Sequence, residues 1–122
     1  MLPLEMDRTN DRDRIVRERF EDHRRTFLRS LVTPEIIEEH RANPLGQHSE
    51  PLERLLLYFR QMPNTGKYAI KAVEPFRDYR IVALSGRRGV APATIDNTPY
   101  PTVQAAYHAL FVLFVRDLIG VE

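Results

Sequence analysis

The chain has 122 residues, of which 43% are hydrophobic and 29% are charged, and its formal net charge is +1. This length fits one domain with a single small core, and the composition is that of an ordinary globular protein rather than a disordered or fibrous one. The near-zero charge excludes binding to nucleic acid by bulk charge alone, and the lack of cysteine excludes disulfides, thiolate metal sites and cysteine nucleophiles.

The N-terminal part is predicted to be helical and mostly polar. We expect residues 1–9 to be loose and residues 10–32 to form a charged helix with a thin apolar stripe that includes Phe20 and Phe27. Such a helix either lies across a partner chain or extends from the domain. No secretory leader or membrane-spanning run is visible, so we expect a cytoplasmic protein.

Residues 33–62 are predicted to form a helical segment. Thr33 and Pro34 favour the start of a second helix, which should end before Pro44 because the residue preceding a proline avoids helical geometry. Ser49 is predicted to cap a third helix. The core face of that helix recurs at three and four residues, as Leu52, Leu55, Leu56 and Phe59.

Antiparallel strands are predicted within residues 63–98, where the hydrophobic period changes from about 3.6 residues to about 2. The segments "KYAIKAV" and "YRIVALS" should form a hairpin, and "VAPATI" a weak third strand that Pro92 confines to an edge. Between helix and hairpin, residues 58–70 are predicted to be a joint in which Gly66 supplies a turn conformation.

Residues 101–120 are predicted to form the C-terminal helix, ending at a glycine cap, Gly120. Its expected inner face comprises Val103, Ala106, Tyr107, Leu110, Phe114 and Leu118. Further apolar residues widen this face beyond what a small sheet covers, so we expect a partner chain to cover the rest. The predicted class is α+β in a single domain, 1–122: N-terminal helices, an antiparallel β-hairpin or three-stranded meander, and a C-terminal helix packed on the sheet.

Residues suited to chemistry are present, but not in the spacings that catalytic sites use. The four histidines, His23, His40, His48 and His108, lack the i,i+4 spacing of a helical zinc site. No Gly-x-Ser-x-Gly turn is present, and adjacent carboxylates such as Glu38 and Glu39 are more typical of a solvated helix face. We therefore expect neither catalytic residues nor metal ligands on this chain.

A nucleic-acid-binding module is the alternative function. Basic and aromatic side chains on the predicted hairpin could form a ribbon that enters a groove or stacks on single strands. They are Lys67, Lys71, Arg80, Arg87 and Arg88, with Tyr68 and Tyr79. A free-standing small enzyme is a third possibility.

Several short blocks, from the second helix onward, resemble the small subunit of N,N-dimethylformamidase. They are "IIEEHRANPLG" (36–46), the His-Ser-x-Pro step at 48–51, "LLYFRQMPNTGKYAI" (56–70), "YRIVAL" (79–84) and "AAYHALF" (105–111). Together these blocks cover most of residues 35–118, in the family's order and at similar spacing. The charged N-terminal helix has only general similarity to the family.

The resemblance implies a partner and a reaction. In that family the small subunit pairs with a large subunit, typically two copies of each, to form an amidohydrolase that converts dimethylformamide to dimethylamine and formate. The large subunit carries a single iron held by tyrosine and carboxylate side chains, so no metal ligand or catalytic residue is expected on this chain. The small subunit would stabilise the large one or complete its site, which needs a shaped and partly dry cavity.

The predicted contacts with the large subunit combine aromatic, cationic and apolar side chains, which are suited to a buried interface. They are Phe20, Phe27, Tyr58, Arg60, Lys67, Tyr68, Arg80, Phe111, Phe114 and Val115.

Overall fold

The computed structural model describes residues 3–95 and 97–120, with side chains from residue 12 onward. The chain divides into two compact units, Met1–Ser30 and Leu31–Glu122. The single domain that the sequence predicts for 1–122 stays a prediction. The first unit is one mostly charged helix, which has little apolar surface with which to build a core.

Helix α1 spans Pro3–Ser30 and forms the first unit. It therefore includes residues 3–9, which were predicted to be loose, whereas residues 1–2 lie outside the described part. Proline is tolerated at the first helical position because the amide N–H that it lacks has no helical partner there. Phe20 and Phe27 are 67% and 49% exposed.

The second unit begins with two short helices, α2 (Pro34–Ala42) and α3 (Glu50–Arg60). The Thr33 hydroxyl accepts a hydrogen bond from the Ile36 amide at 3.2 Å, as expected of a helix cap. Helix α2 ends before Asn43, the residue that precedes Pro44, in agreement with the sequence prediction.

A three-stranded antiparallel sheet follows, in the order β1-β2-β3. Strand β1 is Tyr68–Glu74, β2 is Asp78–Ala83 and β3 is the short pair Ala93–Thr94. The weak third strand therefore lies at an edge, directly after Pro92, as predicted.

Helix α4 (Val103–Ile119) packs on β1 and β2 and supplies much of the core. The α+β class predicted from the sequence is confirmed. The predicted inner face of α4 is corrected: Phe111 and Val115 are buried, whereas Tyr107 is 42% exposed. The helix contacts α2 as well as the sheet, so its buried stripe is rotated toward Phe111, which stacks on His40 of α2.

Within the described residues, no helix is both long enough and apolar enough to cross a membrane.

Candidate functional site

The joint between α3 and β1 places two basic residues and an aromatic residue at one edge of the second unit. Gly66 has a φ of 73°, a left-handed conformation that glycine adopts without strain. Its amide donates to the Leu84 carbonyl at 2.7 Å, and the Lys67 amide donates to the Asn64 carbonyl at 3.1 Å. The turn role predicted for Gly66 therefore agrees with the structure.

An open groove of about 470 Å³ lies beside this joint. It follows α3 from Glu53 to Arg60, about 10 Å along the helix at 1.5 Å per residue. Its lining comes from α3, β1, α4 and the α2–α3 loop, and is mostly apolar or aromatic: Leu56, Phe59, Ile70, Tyr107, Leu110, Phe111 and Phe114. Such a surface suits an apolar ligand or the side chains of a partner protein.

One end of the groove is basic. The Lys67 ammonium donates to the Arg60 carbonyl at 2.8 Å, and so places a cation at the negative end of α3. The Arg60 side chain is exposed and makes no ion pair with any described residue. Nearby, the Tyr68 hydroxyl donates to Asp117 Oδ2 at 2.6 Å, and this hydrogen bond, with burial, raises the pKa of Tyr68 to about 12.

The other end of the groove is lined by His40 and His48, which cluster with His108. His40 is 2% exposed, stacks on Phe111 with a ring-centroid distance of 4.1 Å, and faces His108 with 3.0 Å between the Nδ1 atoms. Burial, with the neighbouring His108 and His48, lowers the pKa of His40 to about 4. Burial lowers the pKa of His108 as well, and Arg41 contributes in the same direction. Both shifts favour the neutral rings, and the contact then needs one Nδ1 to donate to the other.

His48 and Ser49 fasten the α2–α3 loop to this cluster. His48 Nε2 donates to the Asn43 carbonyl at 2.5 Å, and its Nδ1 lies 3.3 Å from Glu53 Oε1. Ser49 occupies the position before α3, but its hydroxyl donates to Glu39 at 2.7 Å instead of capping the helix. Ser49 is therefore the N-cap residue of α3, as predicted, but its side chain makes no capping hydrogen bond.

These contacts support structural roles for the titratable groups. Hydrogen bonds from Ser49 lower the pKa of Glu39, so its carboxylate is ionised and held in place. Among the described residues, no three His, Asp or Glu side chains are arranged to hold a metal ion.

The predicted contact residues fall into two groups. The buried group, Phe111, Phe114 and Val115, lies in the core of the second unit itself rather than on an accessible surface. The accessible group consists of Phe20 and Phe27 on α1, and Tyr58, Arg60, Lys67, Tyr68 and Arg80 in the second unit. The structure brings Arg60, Lys67 and Tyr68 together along the groove, whereas Tyr58 and Arg80 do not line it.

The basic aromatic ribbon of the alternative function is divided between the two faces of the sheet. Tyr68 and Tyr79 lie on the face that packs against α4, and Lys71 and Arg80 pair on the opposite face. Arg80 also forms two hydrogen bonds with Asp78, at 2.9 and 3.0 Å. No continuous surface of stacked rings and free cations results, so the geometry does not favour nucleic-acid binding.

Sequence reasoning missed the histidine cluster, because its members are distant in the chain. His40 and His108 are 68 residues apart, and only the packing of α2 on α4 brings them together. The His-Ser step at 48–49 was noted as part of the family blocks, but nothing in the local pattern shows that Ser49 reaches back to Glu39.

Comparison with known proteins identifies the family. Residues 15–122 match the family described as N,N-dimethylformamidase alpha subunit. Over 106 residues the chain is 34% identical to the N,N-dimethylformamidase alpha subunit of Paracoccus aminophilus, which covers 83% of this chain and 74% of that protein. Over 104 residues it is also 34% identical to a protein of the same name from Alcaligenes sp, covering 81% and 77% of the two chains. The resemblance seen in the sequence blocks is confirmed, and the chain belongs to the N,N-dimethylformamidase alpha-subunit family.

Proposed function

We propose that this chain is the non-catalytic small subunit of a cytoplasmic, heteromeric amidohydrolase that hydrolyses N,N-dimethylformamide or a related small amide. The complex contains two small and two large subunits, and each large subunit carries the iron and the catalytic groups. The small subunit stabilises the large one or completes its active site. The observation that carries the proposal is the family match over residues 15–122, because an alpha subunit implies a partner subunit.

Among the described side chains, the donor groups do not fit the iron that such an enzyme needs. Tyr68 and Asp117 are a tyrosine and a carboxylate in contact, but the hydroxyl proton is held between them and the raised pKa of Tyr68 opposes the phenolate form. The His40 and His108 nitrogens that meet are hydrogen-bonded to each other. An iron-activated hydrolysis is therefore assigned to the partner, and no step of it is derived on this chain.

The second unit has the properties of a rigid docking body. Its histidine cluster and the Glu39–Ser49 hydrogen bonds tie the α2–α3 loop to the helices, and Gly66 and Lys67 hold the α3–β1 joint. A preorganised surface loses little conformational entropy when it binds, which favours a stable complex. Docked on a large subunit, such a body can also exclude water from a nearby active site.

Co-expression tests the proposal. The chain would be produced alone and together with a candidate large subunit, sought first among the proteins encoded beside it. We expect the two chains to elute as one species whose native mass corresponds to two copies of each, and this species to release dimethylamine and formate from dimethylformamide. The chain alone should show no activity.

Two results would contradict the proposal. One is amide hydrolysis by the isolated chain at a rate comparable to that of the complex. The other is a large subunit that is fully active, and equally stable to heat, without this chain. Fractionation of cells that express both chains checks the cytoplasmic location.

A further inference from the structure

Strand β1 is an edge of the sheet among the described residues, since β2 is its only paired neighbour. An edge strand exposes backbone donors and acceptors that can pair with another chain. Which residues of β1 expose them follows from the register. Lys67 lies opposite Leu84, one step beyond the Tyr68–Ala83 pair, and its carbonyl accepts from the Leu84 amide at 2.8 Å.

In an antiparallel pair, backbone groups point alternately toward the neighbouring strand and away from it. Because the Lys67 carbonyl bonds to the Leu84 amide, the backbone N–H and C=O groups of Ala69 and Lys71 also point toward β2. Those of Tyr68, Ile70 and Ala72 point outward, away from β2. The hydrogen bonds on the other side of β2 agree with this assignment. Tyr79, opposite Ala72, exchanges backbone bonds with Tyr100 at 2.9 Å, away from β1.

The outward groups of Tyr68, Ile70 and Ala72 bond to no other described residue. They extend over about 13 Å of strand, at roughly 3.3 Å per residue. Tyr68 and Ile70 also line the groove, so the open edge borders a mostly apolar trough. A strand laid along the edge could therefore form backbone bonds with β1 and place alternate side chains in the groove.

We propose that an extended segment of the partner subunit pairs with this edge as an additional strand, with apolar side chains in the groove and an acidic residue at Arg60. This inference rests on the proposed function and specifies its docking surface. The acidic residue complements the exposed Arg60 and the adjacent Lys67 ammonium. Leu56, Tyr107 and Leu110, which are at least partly exposed, supply apolar surface in the groove.

A second copy of this chain fits the edge less well. Its β1 carries a single acid, Glu74, which already pairs with Arg77 at 3.3 Å. Pairing β1 with β1 would therefore leave Arg60 without a free opposite charge. The partner segment satisfies both the backbone edge and the basic end, so it is the occupant that we assign.

Hydrogen exchange at single-residue resolution tests the alternation directly. It would be measured on the isolated chain and on its complex with the large subunit. In the isolated chain the amides of Ala69 and Lys71 should exchange slowly and those of Tyr68, Ile70 and Ala72 rapidly, because only the first two bond to β2. In the complex all five should exchange slowly.

Two pairs of variants test the same contact by affinity. Ala72→Pro removes an outward N–H from an exposed position without removing a bond to β2, and Ala72→Thr keeps that N–H. We expect about tenfold weaker binding for Ala72→Pro and unchanged binding for Ala72→Thr. Arg60→Glu should weaken binding by a similar factor, whereas Arg88→Glu, at an exposed position in the β2–β3 connection, should not. Unfolding measurements on each isolated variant establish that the fold is retained.

The results of these experiments distinguish a wrong docking surface from a wrong proposed function. If the complex forms but the amides of Tyr68, Ile70 and Ala72 still exchange rapidly, the docking surface is wrong and the proposed function stands. If those amides become protected in the isolated chain as its concentration rises, the occupant is a second copy, and the assignment to the partner is overturned. If no complex forms with the large subunit, the proposed function fails as well.

Discussion

His40 and His108 meet with 3.0 Å between their Nδ1 atoms and so join α2 to α4 inside the second unit. The contact needs one nitrogen to donate and the other to accept, so it requires at least one neutral ring. The His40 ring also stacks on Phe111, with a centroid distance of 4.1 Å, and its centroid lies 5.8 Å from that of His48. Protonation of both His40 and His108 would therefore break this contact and oppose folding.

The free energy of unfolding should decrease as the pH falls from about 6.5 to about 4. His40 has an ordinary pKa of 6.5, and burial lowers it to about 4 in the folded chain. Between these values the unfolded chain binds more protons, so stability is fully present above the upper value and is lost toward the lower one. The expected loss from this residue is roughly 3 kcal/mol. Urea unfolding across this pH range measures it.

His40→Phe is the matched variant, because it keeps an aromatic ring beside Phe111 and cannot take up a proton. Glu38, Glu39, Glu53 and Arg41 are present in both proteins, so a difference in pH dependence between the two is due to residue 40. The variant should show a flatter dependence of stability on pH than the natural chain. Equal slopes in both proteins would show that His40 does not cause the dependence.

Phe111→Ala should destabilise the chain itself by about 3–5 kcal/mol, since its ring is 1% exposed and contacts both His40 and Phe59. Phe76→Ala is the control, because that ring is 88% exposed, and it should change stability by less than about 0.5 kcal/mol. Denaturant unfolding of the isolated variants provides the comparison. A fully stable Phe111→Ala chain that loses only its partner would assign this ring to the interface instead of the core.

Gly86→Ala should be more destabilising than Gly89→Ala by about 1–3 kcal/mol. Both glycines have positive φ, 72° and 82°, so both alanines carry similar backbone strain. Only at Gly86 would the new Cβ collide with Thr65, at 2.9 Å from its Cα, whereas the space around Gly89 is open. Thermal unfolding of the two variants measures this difference in stability. Equal losses of stability would show that backbone strain alone, and not the collision with Thr65, destabilises both variants.

Tyr68→Phe should cost about 1 kcal/mol of stability, the net contribution of one hydrogen bond, because it removes the donor to Asp117. Tyr107→Phe is a suitable control. Tyr107 also lines the groove, and its hydroxyl bonds to no described residue. The double variant Tyr68→Phe with Asp117→Ala should lose little more stability than either single variant if the hydroxyl and the carboxylate stabilise the fold only through their mutual hydrogen bond.

Much of the fold followed from local pattern. The caps at Thr33 and Gly120, the stop before Pro44 and the change of period after residue 62 each act over a few residues, and the structure has elements at those places. The local pattern did not predict which residues of α4 are buried. Its sequence is apolar almost all round, so the pattern alone could not show that Phe111 faces α2 while Tyr107 is exposed.

The groove and the histidine cluster were less predictable, because both depend on long-range packing. Arg60, Lys67 and Tyr68 were chosen as contact residues from one short stretch, and the structure brings them to one groove. The His40–His108 contact and the Glu39–Ser49 hydrogen bonds join separate elements, and no spacing in the sequence encodes them. The open edge of β1 likewise required the register of the sheet.

Whether this chain is non-catalytic is decided by the iron content of this chain and of its partner, each purified separately and then as the complex. We expect no bound iron on this chain alone, about one iron per large subunit in the complex, and amide hydrolysis only where the large subunit is present. Stoichiometric iron on the isolated chain, accompanied by turnover of dimethylformamide, would contradict it.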